Sequence, residues 1–265
     1  MKRNLTCSLL VAAALAASLI SASAGEKPGK MNCPMADAKA KCKVLKGVVH
    51  LRDNDVRFAR KGGGMVFVDP TAGPTDPLAV KAGLVKPDLI LITHPHGDHF
   101  QPAVLQEYLQ ANPQVILAGP AEVVKLAAEK GITMQTVATN QTYQLAGVEV
   151  STVPAYFENP QAKHPQAGGW VGYVLALNGA RYYVTGDTGP VPEMAATKAD
   201  VIFPLLSGCG GNLPDAVKMA ELSGAKFVVP VHTSGQVETI KKYVGQLPKE
   251  VMSAYYLDAQ LNPTI

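Results

Sequence analysis

Cysteine is scarce in this 265-residue chain, with four residues, and tryptophan occurs once. Four thiols are too few for a disulfide-built miniprotein. Charged residues make up only 17% and the net charge is +3. That excludes a highly charged disordered protein and gives no basic surface for nucleic acid. Lys2 and Arg3 supply two of those charges, leaving the chain from residue 25 at +1. Apart from residues 5–20 there is no long apolar run, which excludes a multispan membrane protein. Sustained heptads are missing too, which excludes a coiled coil. What is present is 47% hydrophobic residues with 24 Gly and 20 Pro, the make-up of a packed domain cut by many turns. The length suits one large domain or two small ones.

The first 24 residues, MKRNLTCSLLVAAALAASLISASA, place two cations before an Ala-rich apolar run and end on Ala22-Ser23-Ala24. This predicts a signal peptide over 1–24, hence a periplasmic or secreted protein with no stable membrane anchor after cleavage. A retained anchor is the alternative. Cleavage takes Cys7 and leaves Cys33, Cys42 and Cys209. Cys33 and Cys42 could pair across a short loop, or all three could stay as thiols. Residues 25–43 are rich in Lys, Gly, Pro and small residues without a sustained period, and read as a linker or arm. One domain then fills 44–265.

From Val44 the pattern becomes short apolar runs between turns. Residues 48–51, 56–59, 65–68, 89–93 and 115–118 have strand length, and 101–110 and 121–130 read as helices. The second half repeats the order. Strands are expected at 148–153, 171–177, 181–185, 201–205 and 227–231, with helices at 215–223 and 237–244. Asn178-Gly179 marks a hairpin turn. Each half gives hairpins first and strand–helix units second, which two sheets packed face to face with helices outside would bury.

The chemistry concentrates in Thr93-His94-Pro95-His96-Gly97-Asp98-His99, directly after the apolar run. Three imidazoles and a carboxylate so close together suit a borderline cation such as zinc. Gly97 is expected to give the loop a backbone conformation closed to other residues. Asp187, in Thr185-Gly186-Asp187-Thr188-Gly189, and His232 stand where later apolar strands stop, as His94 does.

With these residues in place, the chain resembles the metallo-beta-lactamase superfamily of metal-dependent hydrolases, from about Val44 to the C-terminus. In finer detail it is similar to small single-domain hydrolases related to the lactonase-like proteins. The signposts are Val153-Pro154-Ala155-Tyr156, His164-Pro165, Gly169-Trp170-Val171-Gly172-Tyr173, Gly186-Asp187-Thr188 and Val229-Pro230-Val231-His232. The resemblance implies an α/β fold, the four-layer αββα sandwich, with the site at one edge between the sheets. It also implies two divalent metal ions, zinc first, with manganese or iron as other occupants. By position, His94, His96 and a later His would hold one ion. Asp98, His99 and His232 would hold the other, and Asp187 would bridge them. Where many members have the later His, this chain has Tyr156-Phe157-Glu158, so His164 is carried into that place. Asp69 resembles the early Asp that supports the metal loop from behind. Tyr156 either donates a hydrogen bond to developing charge or simply packs. Cys209 does not match the metal-binding Cys of true beta-lactamases and is not assigned as a ligand. His50 is left as a bystander.

The reaction so implied is hydrolysis of a small ester, lactone, amide or phosphodiester by hydroxide made between two metals, with Asp98 relaying the proton. The partner is a small-molecule substrate, not nucleic acid. The rivals are an iron-dependent redox enzyme on the same ligands and a non-catalytic exported metal-binding protein.

Overall fold

The computed structural model describes residues 42–159, 163–233 and 237–253. The expected leader, the arm as far as residue 41, and Cys33 lie outside that set. The last two arm residues, Cys42 and Lys43, open a 3-10 turn, Cys42–Leu45. No helix among the described residues is long and apolar enough to cross a membrane.

Alternation of apolar side chains builds two sheets. In the first, β1 (Val48–His50), β2 (Val56–Ala59), β3 (Met65–Val68), β4 (Leu89–Leu91), β5 (Ile116–Gly119) and β6 (Gln135–Thr136) lie side by side in chain order. β1 to β3 are antiparallel, and β3 to β6 are parallel. The second sheet follows the same plan with β7 (Thr142–Leu145), β8 (Val148–Pro154), β9 (Val171–Leu177), β10 (Ala180–Val184), β11 (Val201–Phe203), β12 (Phe227–Val228) and β13 (Met252–Ser253). β7 to β10 are antiparallel, and β10 to β13 are parallel. Parallel neighbours need crossovers, and helices supply them. α1 (Pro77–Ala82), α2 (Pro102–Ala111) and α3 (Ala121–Ala128) belong to the first half, α4 (Leu213–Ser223) and α5 (Val237–Val244) to the second.

Successive strand residues point to opposite faces. Leu89 and Leu91 therefore join the core between the sheets, with Val66, Val68, Tyr173, Leu175, Tyr182 and Phe203. Ile90 and Ile92 face the other way, onto Ala79, Leu105, Tyr108 and Val123 of the first helix layer. Tyr183, Ile202 and Val228 do the same against Ala216, Met219, Ile240 and Tyr243. Helix, sheet, sheet, helix is the four-layer αββα sandwich.

Several expected bounds shift. The strand expected at 227–231 ladders regularly only to Val228, because Pro230 has no N–H to donate. Val229 N and Val231 N still donate to the carbonyls of Ile202 and Pro204, at 2.9 and 3.0 Å. α1 and the edge strands β6, β7 and β13 are additions to the expected elements. α1 is short, yet Asp76 caps it by accepting from Leu78 N at 2.8 Å, and Gly83 closes it with φ 68°.

At one edge the sheets are tied directly. Val171 N, opening β9, donates to Thr93 O at 3.2 Å, and the Tyr173 hydroxyl donates to Ile92 O at 2.7 Å. Thr93 is the residue before His94, so this seam fixes the metal-type motif against the second sheet.

Candidate metal centre

β4 delivers the motif. His94 and His99 are buried, His96 is half-buried and Asp98 is exposed. His99 N and Phe100 N both donate to His96 O, at 3.0 and 2.8 Å, which curls the loop before α2 starts. Gly97 does not play the expected part. It is not among the residues with positive φ, and a Cβ built there meets nothing within 4 Å. The turn comes from those two backbone bonds instead.

Asp69, at the end of β3, is fully buried behind the loop. It accepts from Thr93 N at 2.8 Å, from the Thr93 hydroxyl at 2.6 Å and from His99 Nδ1 at 2.7 Å. Thr93 Oγ1, its proton spent on Asp69, accepts in turn from His94 Nδ1 at 2.9 Å. A proton on each Nδ1 leaves Nε2 of His94 and His99 facing the cluster.

β10 ends in Thr185-Gly186, and Asp187 follows. Gly186 has φ 62°, and a Cβ there would lie 3.0 Å from Thr93 Cβ, so glycine lets the Asp187 loop press against the motif. Asp187 is buried. Its carboxylate lies 3.2 Å from His99 Nε2, 3.9 Å from His94 Nε2, and 3.8 Å from Nε2 of both His164 and His232. Thr188 latches the loop to the other side, donating to Tyr156 O at 2.9 Å and accepting from Tyr156 N at 3.0 Å.

His232 takes φ 56°, held by its N–H to Asp53 O at 2.8 Å and its carbonyl to the Ser207 hydroxyl at 2.7 Å. Its Nε2 is 3.0 Å from Asp98 Oδ2. Gly208 has φ 88°, and a Cβ there would come within 2.6 Å of the His232 ring. His164 is buried and not an exposed loop residue. Phe157 N donates to its carbonyl at 3.0 Å, and its ring lies 4.6 Å from both His94 and His96.

Two groups result, each with candidate ligand atoms within 4.8 Å of one another: His94, His96, His164 and Asp187; and Asp98, His99, Asp187 and His232. Asp187 belongs to both. Imidazole nitrogens with carboxylate oxygens are a donor set for zinc and similar divalent cations. The buried atoms make the same point. Nε2 of His94, both nitrogens of His164 and both oxygens of Asp187 have no hydrogen-bond partner among the described residues. Buried polar atoms are normally paired, so such a concentration calls for a cation.

Charge is finely balanced here. Burial and the neighbouring His99 ring press the His94 imidazole far below its ordinary range. Burial also lowers His164, to about 4. Burial alone would lift the Asp187 carboxyl, yet His99, His94 and His232 hold it far below the usual carboxylate range. The hydrogen bond from His232 holds Asp98 down. Burial disfavours a charged His99, but Asp69 and Asp187 outweigh it and raise the ring to about 10.

Other expectations settle individually. Tyr156 packs its ring into the outer core with Val153 and Met194, and its hydroxyl meets Glu193 at 3.5 Å. Its backbone, not its hydroxyl, meets the Asp187 loop, through the latch on Thr188. His50 Nε2 is 2.7 Å from Asp53 O, the carbonyl that also holds His232 N. Burial and the adjacent Asp187 carboxylate push the Cys209 thiol up to about 12, keeping it protonated at neutral pH.

Three features were given no site role from the sequence. Trp170 walls the first group, its ring 4.7, 5.3 and 5.5 Å from those of His164, His96 and His94, while its Nε1 donates to Glu122 at 2.9 Å. Asn54 reaches His99 from the β1–β2 loop. Arg57 and Asp55 form a buried two-pronged pair at 2.7 and 2.8 Å that also grips the chain after Asp69, through Ala72 O and the N–H groups of Thr71 and Ala72. Only the lone tryptophan among glycines gave any local signal.

A family model described as a beta-lactamase superfamily domain matches residues 64–233, from the β2–β3 turn to the residue after His232. The chain belongs to the metallo-beta-lactamase superfamily. Within this superfamily it is 30% identical, over 183 residues, to a metal-dependent hydrolase of Thermococcus kodakarensis, covering 66% of this chain and 80% of the relative. With relatives that are metal-dependent hydrolases, this chain is a metal-dependent hydrolase. Among solved structures it is similar to Igni18, a metallo hydrolase from Ignicoccus hospitalis, with TM-score 0.64, 18% identity, and coverage of 82% of this chain and 96% of that one. It also shares its fold with CmlA, a diiron beta-hydroxylase from Streptomyces venezuelae, with TM-score 0.63, 14% identity, and coverage of 80% and 52%.

Proposed function

We infer that this metallo-beta-lactamase superfamily member is an exported hydrolase using two divalent metal ions, zinc foremost, on a small ester, lactone, amide or phosphodiester. The observation that carries the reading is Asp187, which belongs to both ligand groups and whose two buried oxygens have no hydrogen-bond partner among the described residues. Ions held by His94, His96, His164 and Asp187, and by Asp98, His99, His232 and Asp187, would supply hydroxide near neutral pH and polarise the substrate oxygen.

The residues themselves set the conditions for that chemistry. Asp69 keeps a proton on Nδ1 of His99 and, through Thr93, on Nδ1 of His94, so both rings present Nε2. Asp98 is the open carboxylate of the cluster, 46% exposed, against the buried Asp187. It is placed to take a proton from attacking water and pass it to solvent. Trp170 closes the wall behind His94, His96 and His164 and keeps water from that side.

Export rests on the composition of residues 1–24, and a small-molecule substrate on the near-neutral charge of the remainder. The same donor set also suits iron. Elemental analysis of protein purified without added metal, followed by an ester, lactone, amide and phosphodiester panel, tests the reading. Two zinc ions per chain with turnover on one panel member is expected. Protein that takes up no metal, or a fully loaded protein inert across the panel, would overturn it.

A further inference from the structure

The two ligand groups are not alike in what they already touch. In the group of His94, His96, His164 and Asp187, the coordinating Nε2 of His94 and both His164 nitrogens have no hydrogen-bond partner among the described residues. In the group of Asp98, His99, Asp187 and His232, Asp98, His99 and His232 are already engaged in hydrogen bonds, while the shared Asp187 is not. Asp98 Oδ2 is 3.0 Å from His232 Nε2, and His99 Nε2 is 2.8 Å from Nδ2 of Asn54. Asn54 is 4% exposed and sits in the loop between β1 and β2, whose Asp53 carbonyl holds the His232 backbone.

His99 has only one nitrogen free for coordination, since Nδ1 is bound to Asp69 at 2.7 Å. An imidazole nitrogen has a single in-plane direction for a hydrogen bond or a metal bond. Whichever way the Asn54 amide is turned, its contact fills that direction.

We propose that Asn54 sets the affinity of the second metal position by occupying the coordinating nitrogen of His99. Metal loading is then stepwise. The first ion enters the group around His164, where no hydrogen bond among the described residues has to be broken, and the second must also displace the Asn54 amide from His99. This rests on the two-metal reading above and adds a residue that no ligand pattern contains.

The test is a zinc titration of chelator-treated protein against a competing chelator dye, comparing wild type with Asn54→Ala and Asn54→Ser. Neither side chain can span from the loop to the ring, and Ser stays polar should Ala perturb folding. A net hydrogen bond of about 1 kcal/mol corresponds to roughly fivefold in affinity. Both variants should bind the second ion about five- to tenfold more tightly and leave the first step unchanged. In metal-free protein the ring 15N resonance of His99 Nε2 should also move in both variants. An unchanged or weakened second step in both, or an unmoved resonance, would overturn the role of Asn54 while leaving the two-metal reading intact. A wild type that binds no zinc would overturn that reading itself, and this inference with it.

Discussion

Oδ2 of Asp69 lies 2.7 Å from Nδ1 of His99, thirty positions further along the chain. One buried carboxylate at the end of β3 thus decides which nitrogen of a neighbouring loop faces the candidate metals. Asn fits the left-handed backbone at residue 69, φ 47°, but puts an NH2 where an acceptor is needed. Asp69→Asn should weaken metal binding by about ten- to a hundredfold, as read by competitive chelator titration. Unchanged affinity would mean that His99 needs no orienting partner.

Asp187 belongs to both ligand groups, so its loss should be felt twice. Asp187→Ala is expected to lose both metal equivalents and nearly all turnover. Mass-spectrometric metal analysis after desalting checks this, and two retained equivalents would refute the shared-ligand role.

His164 belongs to one group only. At saturating zinc, His164→Ala should fall from two bound equivalents to one, with Asp98, His99, Asp187 and His232 still loaded. Retention of both ions would remove His164 from the ligand set.

The single tryptophan of the chain stands against three candidate ligands. Intrinsic tryptophan emission should therefore respond to the first equivalent of zinc, which fixes the rings of His94, His96 and His164, and less to the second. An emission spectrum that is flat through full loading would place the ions elsewhere.

Arg57 and Asp55 are both fully buried and bonded to each other and to the loop after Asp69. Arg57→Ala strands a buried carboxylate and should cost about 3–5 kcal/mol in urea unfolding. A loss no greater than about 0.5 kcal/mol, typical of surface sites, would show that the pair is not part of the frame.

Much of this architecture is written locally. Leu89 to Ile92 alternates faces because one side meets the other sheet and the other meets α2, and apolar residues on both sides mark a covered strand. Asn178 and Gly179, φ 57° and 86°, make the turn that their identities predict. The edge strands were less legible. Thr142–Leu145 is mostly polar and becomes a strand because it pairs with β8. Gly97 misled, since its residue type suggested a strained turn where ordinary backbone bonds suffice.

Sequence alone determined where ligand-type residues stop each apolar strand: His94 after β4, Asp187 after β10, and His232 after the run that continues β12. Strand ends on one edge of stacked sheets converge by construction, so those three could be foreseen together. Only the tertiary structure decided that His164 turns inward, that Trp170 forms the wall and that Asn54 meets His99. Those contacts join loops far apart in sequence, and side-chain periodicity specifies which face a residue takes, not which loops meet once two sheets are seamed at Thr93 and Val171.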